Sequence, residues 1–269
     1  MHTPEETELC QPAEPASAAE FGPPITLWTR ALCLWFWLWV VIVMIPMSVI
    51  QLVTHRFSPT ARNFKRNASL WGKLILRGGA GIRVRVTERV RLDPGQPYVF
   101  VSNHQNSLDI MALTEALPHP FGFVAKAELA NVPFLGLAIR HSASVFLDRS
   151  DPRRSVESLK AAGERIRAGT SVLVFPEGSR SHAPRLLPLK KGAFAIAVEA
   201  GVPLVPVTIL GASSLMNERR MAIRPGMLHI VVGEPISMEG KHRRDIPAIM
   251  AEVEARMNAE LEAGSRESA

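Results

Sequence analysis

Cysteine is nearly missing from this chain. Cys10 lies in a polar tail and Cys33 in an apolar run, which leaves no disulfide framework, no metal-ligand spacing and no thiol placed for catalysis. Tyrosine occurs once, and no aromatic stacking platform accompanies the basic charge; both argue against a nucleic-acid binder. No glycine-rich nucleotide loop of the GxxxxGK[ST] type and no GxSxG elbow is present, so neither that phosphate cradle nor a serine acyl-enzyme is expected. There is no internal repeat. The first twenty residues hold no Lys or Arg, unlike a secretory signal, which begins basic.

Those twenty residues do hold five glutamates, and residues 1–24 are rich in Pro, Ala, Ser and Glu. They read as a disordered acidic tail. The rest carries all 31 basic residues against 20 of the 25 acidic ones, a balance of +11 within a whole-chain charge of +6. Such a body favours an anionic partner: nucleic acid, an anionic membrane surface, or a phosphorylated or CoA-like small molecule. With 269 residues and 47% hydrophobic content, the chain can bury one large core or two small ones.

Residues 31–53 contain no charged side chain. As a helix they would cover ~34 Å, enough for a hydrocarbon core of ~30 Å. Trp28, Trp35, Trp37 and Trp39 cluster toward one end, where an aromatic belt would lie. Pro46 is expected to kink the helix. In residues 61–77, Phe64, Leu70, Trp71, Leu74 and Ile75 alternate with Arg62, Lys65, Arg66, Lys73 and Arg77. That pattern fits an amphipathic helix lying on anionic lipid, or a plain surface helix of a soluble domain. Residues 25–80 therefore read as a membrane-associated helical segment, either spanning or forming an embedded hairpin. The basic residues that follow the apolar run put the main domain on the cytoplasmic side, at the inner membrane in a bacterium.

From residue 82 onward strands and helices alternate. Strands are expected at 82–87, 98–102, 121–125, 144–147, 171–175, 204–209 and 228–232, and helices at 107–117, 134–140, 153–168, 190–200 and 246–263. Helices between apolar strands imply an α/β sheet with some parallel pairing.

The chain is organised around Asn103-His104-Gln105-Asn106-Ser107-Leu108-Asp109, which joins the strand 98–102 to the helix 107–117. Amides are unpaired at a helix start, and the dipole there favours negative charge. If His104 precedes the helix and Asp109 lies in its first turns, the carboxylate reaches the imidazole, fixes its tautomer and leaves the other nitrogen as a base. The plainer alternative is that Asp109 only favours the helix start. After the strand 171–175 comes Pro176-Glu177-Gly178-Ser179-Arg180-Ser181. Gly178 permits an unusual backbone angle, Arg180 suits bidentate phosphate, and Glu177 could accept from a hydroxyl or orient an arginine. Val145-Phe146-Leu147 ends in Asp148-Arg149, a third polar group at a strand end. Pro203 and Pro206 read as structural.

Together these blocks resemble the 1-acylglycerol-3-phosphate acyltransferases and the wider glycerolipid acyltransferase group. The family carries an NHxxxxD block, here Asn103–Asp109; a block ending Asp-Arg, here 144–149; and Phe-Pro-Glu-Gly-Thr-Arg-Ser, here Phe175–Ser181 with Ser179 at the Thr position. A Val-Pro-Val block follows at 205–207, and the stretches beginning Lys126-Ala127-Glu128-Leu129 and Lys191-Gly192-Ala193-Phe194 are also similar. The resemblance covers about residues 61–235. It implies an α/β domain over 81–269, a mixed sheet flanked by helices. It also implies direct transfer of an acyl group from acyl-CoA or acyl carrier protein to the sn-2 hydroxyl of 1-acylglycerol 3-phosphate, with no cofactor and no metal. His104 would be the base and Asp109 its partner. Glu177, Gly178, Ser179, Arg180, Arg149 and Lys126 would bind substrate. Amides at the helix start, with Ser179, would receive the oxyanion. Another lyso-lipid such as a lyso-ornithine lipid, or glycerol 3-phosphate, is the alternative acceptor. A non-catalytic membrane-binding protein is the alternative outside enzymes.

Overall fold

The computed structural model describes residues 22–58, 61–140, 142, 144–147 and 161–267. The chain enters through a long helix, α1 (Leu27–Phe57). Thr26 caps it: the Thr26 hydroxyl accepts from the Thr29 amide, and the Thr29 hydroxyl accepts from the Thr26 amide, so two otherwise unpaired donors are satisfied reciprocally. The helix is continuous through Pro46. One stripe, including Cys33, Phe36, Val43 and Met47, is buried, while Trp28 (69%), Leu34 (63%) and Val49 (52%) stand exposed on other faces. A helix apolar all round, with only one face covered, is long and apolar enough to cross a membrane.

Helix α2 (Ala61–Lys73) continues into a π-helical turn, Leu74–Gly78. The Trp39 indole donates to the Leu74 carbonyl at 2.9 Å, which ties α1 to that turn. Gly72 lets α2 approach α3 (Leu108–Ala116) closely; a Cβ there would lie 2.4 Å from the Met111 carbonyl oxygen. Among the basic residues expected to face lipid, Lys65 turns inward. Its Nζ donates to the Thr114 carbonyl at 2.9 Å, near the end of α3, where a cation also meets the negative end of the helix dipole. Burial lowers the Lys65 ammonium to about 8, with Glu115 pulling it back up.

The sheet has seven strands in the order β1-β9-β6-β2-β5-β3-β4. They are β1 (Ile82–Glu88), β2 (Val99–Ser102), β3 (Phe121–Lys126), β4 (Val145–Leu147), β5 (Ser171–Val174), β6 (Leu204–Leu210) and β9 (Gly226–Val232). All seven strands expected from the sequence are here. Neighbours pair in parallel except β6 and β9, which are antiparallel, so the sheet is mixed. A two-residue hairpin, β7 (Met216–Asn217) with β8 (Ala222–Ile223), and a short helix, α7 (Ala212–Leu215), carry too little pattern to be foreseen. Helices α4 (Leu135–Arg140), α6 (Gly192–Ala200) and α8 (Ile246–Glu267) lie where expected. Of the expected helix at 153–168, the part within the described residues, 161–167, is helical (α5).

Both faces of the central strands are buried, and alternate residues feed two cores. Phe100, Leu173, Val205 and Val207 point to the side of α1, the π turn and α3. Val99, Val101, Val172 and Val174 point to the side of α5, α6 and α8. Pro206 sits inside β6 yet breaks no bond of the ladder. Its carbonyl accepts from Gly233 just past the end of the β6–β9 pairing, and its missing amide falls on that same side, beyond the paired residues.

One consequence of this topology positions the site. Strands β2 and β5 are parallel neighbours, but the helices that follow them, α3 and α6, cover opposite faces of the sheet. The loops leaving their C-terminal ends therefore meet at a topological switch point, the place where open α/β sheets bind ligands.

Candidate active site

His104 and Asp109 meet. His104 Nδ1 lies 2.8 Å from Asp109 Oδ2. The geometry follows from the chain: β2 ends at Ser102, α3 starts at Leu108, and Asp109 falls in its first turn. The same Oδ2 accepts from the Gln105 amide at 2.5 Å and the Asn106 amide at 2.9 Å. A carboxylate only accepts, so Nδ1 carries the hydrogen and Nε2 is left with its lone pair. Asp109 is fully buried, and the His104 side chain is 12% exposed. Phe175 stacks on the imidazole, ring centres 4.0 Å apart and 16° from parallel, which shields one face and fixes the ring plane.

The turn around this pair is held by side-chain amides. Asn103 exchanges two hydrogen bonds with Ile209, its Nδ2 donating at 2.9 Å and its Oδ1 accepting at 2.7 Å. Gln105 bridges the Ile209 carbonyl and the Ser213 amide. Asn106 donates to Ala212 and Met216 and accepts from Leu108. Each of these side chains is buried, and satisfied polar networks in a dry setting are rigid. Their partners sit on β6, α7 and β7, which gives those short elements a purpose.

The second loop is bonded to the first. Ser181 and His182 amides donate to the carbonyls of His104 and Gln105, at 2.8 and 3.1 Å. Glu177 is 2% exposed. Its Oε1 accepts from the His104 amide at 2.7 Å and its Oε2 from the Leu187 amide at 2.8 Å. Burial pushes the Glu177 carboxyl up to about 7; the two amides pull it down, and Asp109 adds to the rise. Gly178 has φ +73°, the left-handed backbone that glycine adopts without strain. Ser179 and Arg180 are exposed. Arg180 Nη1 pairs with Glu218 Oε2 at 2.8 Å. His182 lies beside them at φ +54°. Its imidazole is held below its ordinary value, first by burial and then by the positive charge of Arg219.

The helix start is not the free oxyanion pocket expected from the sequence. The amides of residues 104–108 are taken by Glu177, Asp109, Asp109, Glu218 and Asn106 in turn. The exposed Ser179 lies on the adjoining loop. Lys126 is the last residue of β3 and lies in register with Leu147, the last residue of β4. Asp148 and Arg149 fall outside the described residues. Among the described residues no group of three or more His, Cys, Asp or Glu could hold a metal ion.

Glu218 is the residue that sequence reasoning missed. One oxygen accepts from the Ser107 amide at 2.9 Å and the other pairs with Arg180. Its neighbours in the chain, Asn217 and Arg219, form no recognisable block, and only the fold brings it here.

Comparison with known proteins agrees with the resemblance read from the sequence. A chloroplastic 1-acyl-sn-glycerol-3-phosphate acyltransferase of Brassica napus is 33% identical over 80% of this chain and 63% of its own. The 1-acyl-sn-glycerol-3-phosphate acyltransferase alpha of Mus musculus is 36% identical over 63% of this chain and 60% of its own. This chain thus spans about 60% of the length of these curated relatives. The crystal structure of the 1-acyl-sn-glycerophosphate acyltransferase PlsC from Thermotoga maritima superposes with a TM-score of 0.76 at 25% identity, covering 88% of this chain and 96% of that one. Residues 83–210, which run from β1 to the end of β6 and hold both loops, match the sequence model of the acyltransferase family.

Proposed function

We propose that this protein is an O-acyltransferase that moves a fatty acyl group from a thioester, acyl-CoA or acyl carrier protein, to the sn-2 hydroxyl of 1-acylglycerol 3-phosphate, giving phosphatidic acid. The observation that carries the reading is the 2.8 Å contact between His104 and a buried Asp109, beside a loop that presents Arg180 outward. In this reading His104 Nε2 takes the proton of the acceptor hydroxyl as its oxygen attacks the thioester carbonyl. The tetrahedral oxyanion collapses, the C–S bond breaks, and the departing thiolate receives the proton from the imidazolium. Asp109 holds the ring and offsets the imidazolium charge throughout, and general base action of this kind is worth ~10²–10⁴ in rate.

Arg180 is suited to the acceptor phosphate, with Lys126 and Arg149 as further basic groups for that phosphate or for the donor. Ser179 is the candidate oxyanion donor. Gly178 gives the loop its shape. Glu177 supports the site through the His104 amide, both its oxygens being occupied. Helix α1 would sit in the membrane with the α/β part on the cytoplasmic face, so that the site meets acyl chains where they reside. The discriminating experiment offers full-length protein one acyl-CoA and a panel of acceptors: 1-acylglycerol 3-phosphate, glycerol 3-phosphate and a lyso-ornithine lipid. Products are read by mass spectrometry. Phosphatidic acid is expected to dominate. A different dominant product would move the acceptor assignment, and no product with any thioester donor would leave a membrane-binding protein.

A further inference from the structure

We propose that Glu218 is a positioning residue that presets Arg180 for the acceptor phosphate, an inference that rests on the acceptor reading above. An acidic side chain at a phosphate site costs affinity by repulsion, so its presence needs a reason. The geometry supplies one. Glu218 comes from the hairpin β7–β8, outside both sequence blocks, and joins them. Its Oε1 accepts from Ser107 at the mouth of α3, and its Oε2 holds Arg180 Nη1. The Glu218 side chain is 14% exposed and that of Arg180 39%, so the anchor is the more fixed partner and the arginine the more mobile one.

An unheld arginine samples many rotamers, and phosphate binding would have to remove that freedom. Pairing removes it in advance. A guanidinium has five donors in a rigid fork, so one Nη1 contact leaves the others for a phosphate. Repulsion between the Glu218 carboxylate and that phosphate acts across an exposed mouth, where water and salt screen it. Orientation therefore outweighs repulsion, and Glu218 acts on acceptor binding only through Arg180.

The test compares acceptor and donor KM and kcat for full-length wild type, Arg180→Ala, Glu218→Gln and the double variant. The Gln carbonyl can still accept from Ser107, but the negative charge facing Arg180 is lost. Glu218→Gln is expected to raise acceptor KM about tenfold, the effect of losing a charged hydrogen bond, with donor KM unchanged and kcat within about threefold. In the Arg180→Ala background the same change should add nothing. A lower KM in Glu218→Gln, additive effects in the double variant, or a Glu218→Gln protein that does not fold would each overturn the proposal. If Arg180→Ala raises acceptor KM while Glu218→Gln does not, only the Glu218 assignment falls. If Arg180→Ala leaves it unchanged, the phosphate reading falls and takes this one with it.

Discussion

The two loops that leave β2 and β5 are built in opposite ways. The first, residues 103–109, turns its polar side chains inward: Asn103, Gln105, Asn106 and Asp109 are buried and bonded. Only the His104 ring keeps part of its surface exposed. The second, residues 176–182, buries Glu177 and exposes Ser179 and Arg180. One loop fixes a single nitrogen; the other offers groups that can adjust to a ligand. Proton transfer tolerates little error in position, whereas charge recognition tolerates more. Changes in the first loop should therefore strike kcat, and loss of the Arg180 charge at the tip of the second should strike KM.

The largest effects should come from breaking the first loop's pair. His104→Ala and Asp109→Asn should each lower kcat by about 10²–10⁴ with acceptor KM little moved, and the double variant should be no worse than the poorer single one, because the pair acts as a unit. Single-turnover rates check this, and additive losses would separate the two residues. Glu177→Gln should be milder, with kcat down about tenfold, since a carboxamide cannot accept from both the His104 and Leu187 amides. It also carries a pH signature. The folded carboxyl sits at about 7 against 4.5 as its ordinary value. Between those values the folded protein holds a proton that the unfolded chain has released, so stability falls as pH rises from about 4.5 to 7. Melting temperatures from pH 5 to 8 should slope downward in wild type more than in Glu177→Gln. Ser179→Ala, at the exposed tip, should keep the fold and lower kcat by about 10²–10³ if its hydroxyl meets the oxyanion, and leave it unaltered if another donor does. Glu252→Gln breaks only an exposed pair with Arg256, one helical turn away. It should shift stability by under about 0.5 kcal/mol and kinetics not at all, which makes it the baseline for the rest.

What could be read in the sequence followed local rules. The seven strands showed as apolar runs. The five-residue spacing of His104 and Asp109 placed them across a helix start, and they touch. Gly178 marked a left-handed backbone. What could not be read depends on which distant segment arrives. Nothing near residue 177 says that its carboxylate caps the amide of His104, and nothing near residue 218 says that it spans two loops. The helix start looked like a source of free amides, yet Asp109 and Asn106 turn back on three of them, and Glu177 and Glu218, invisible locally, take the other two. Lys65 looked like a lipid-facing base because its alternation suited that, while the α3 carbonyl it meets lies 49 residues on. The strand order, with β9 between β1 and β6, likewise needs the whole fold.

Helix α1 also has a practical lesson for anyone wishing to study the catalytic part alone. Its Phe36 and Cys33 belong to the same apolar interior as Ile82 of β1 and Leu228 of β9, and the Trp39 indole is bound to the π turn. Cutting the chain after Phe57 would not detach a tether; it would remove a wall, baring apolar residues of the π turn and β8 that pack on it. Solubilising this protein by trimming is expected to produce inclusion bodies, whereas detergent or nanodisc extraction of the whole chain should preserve it.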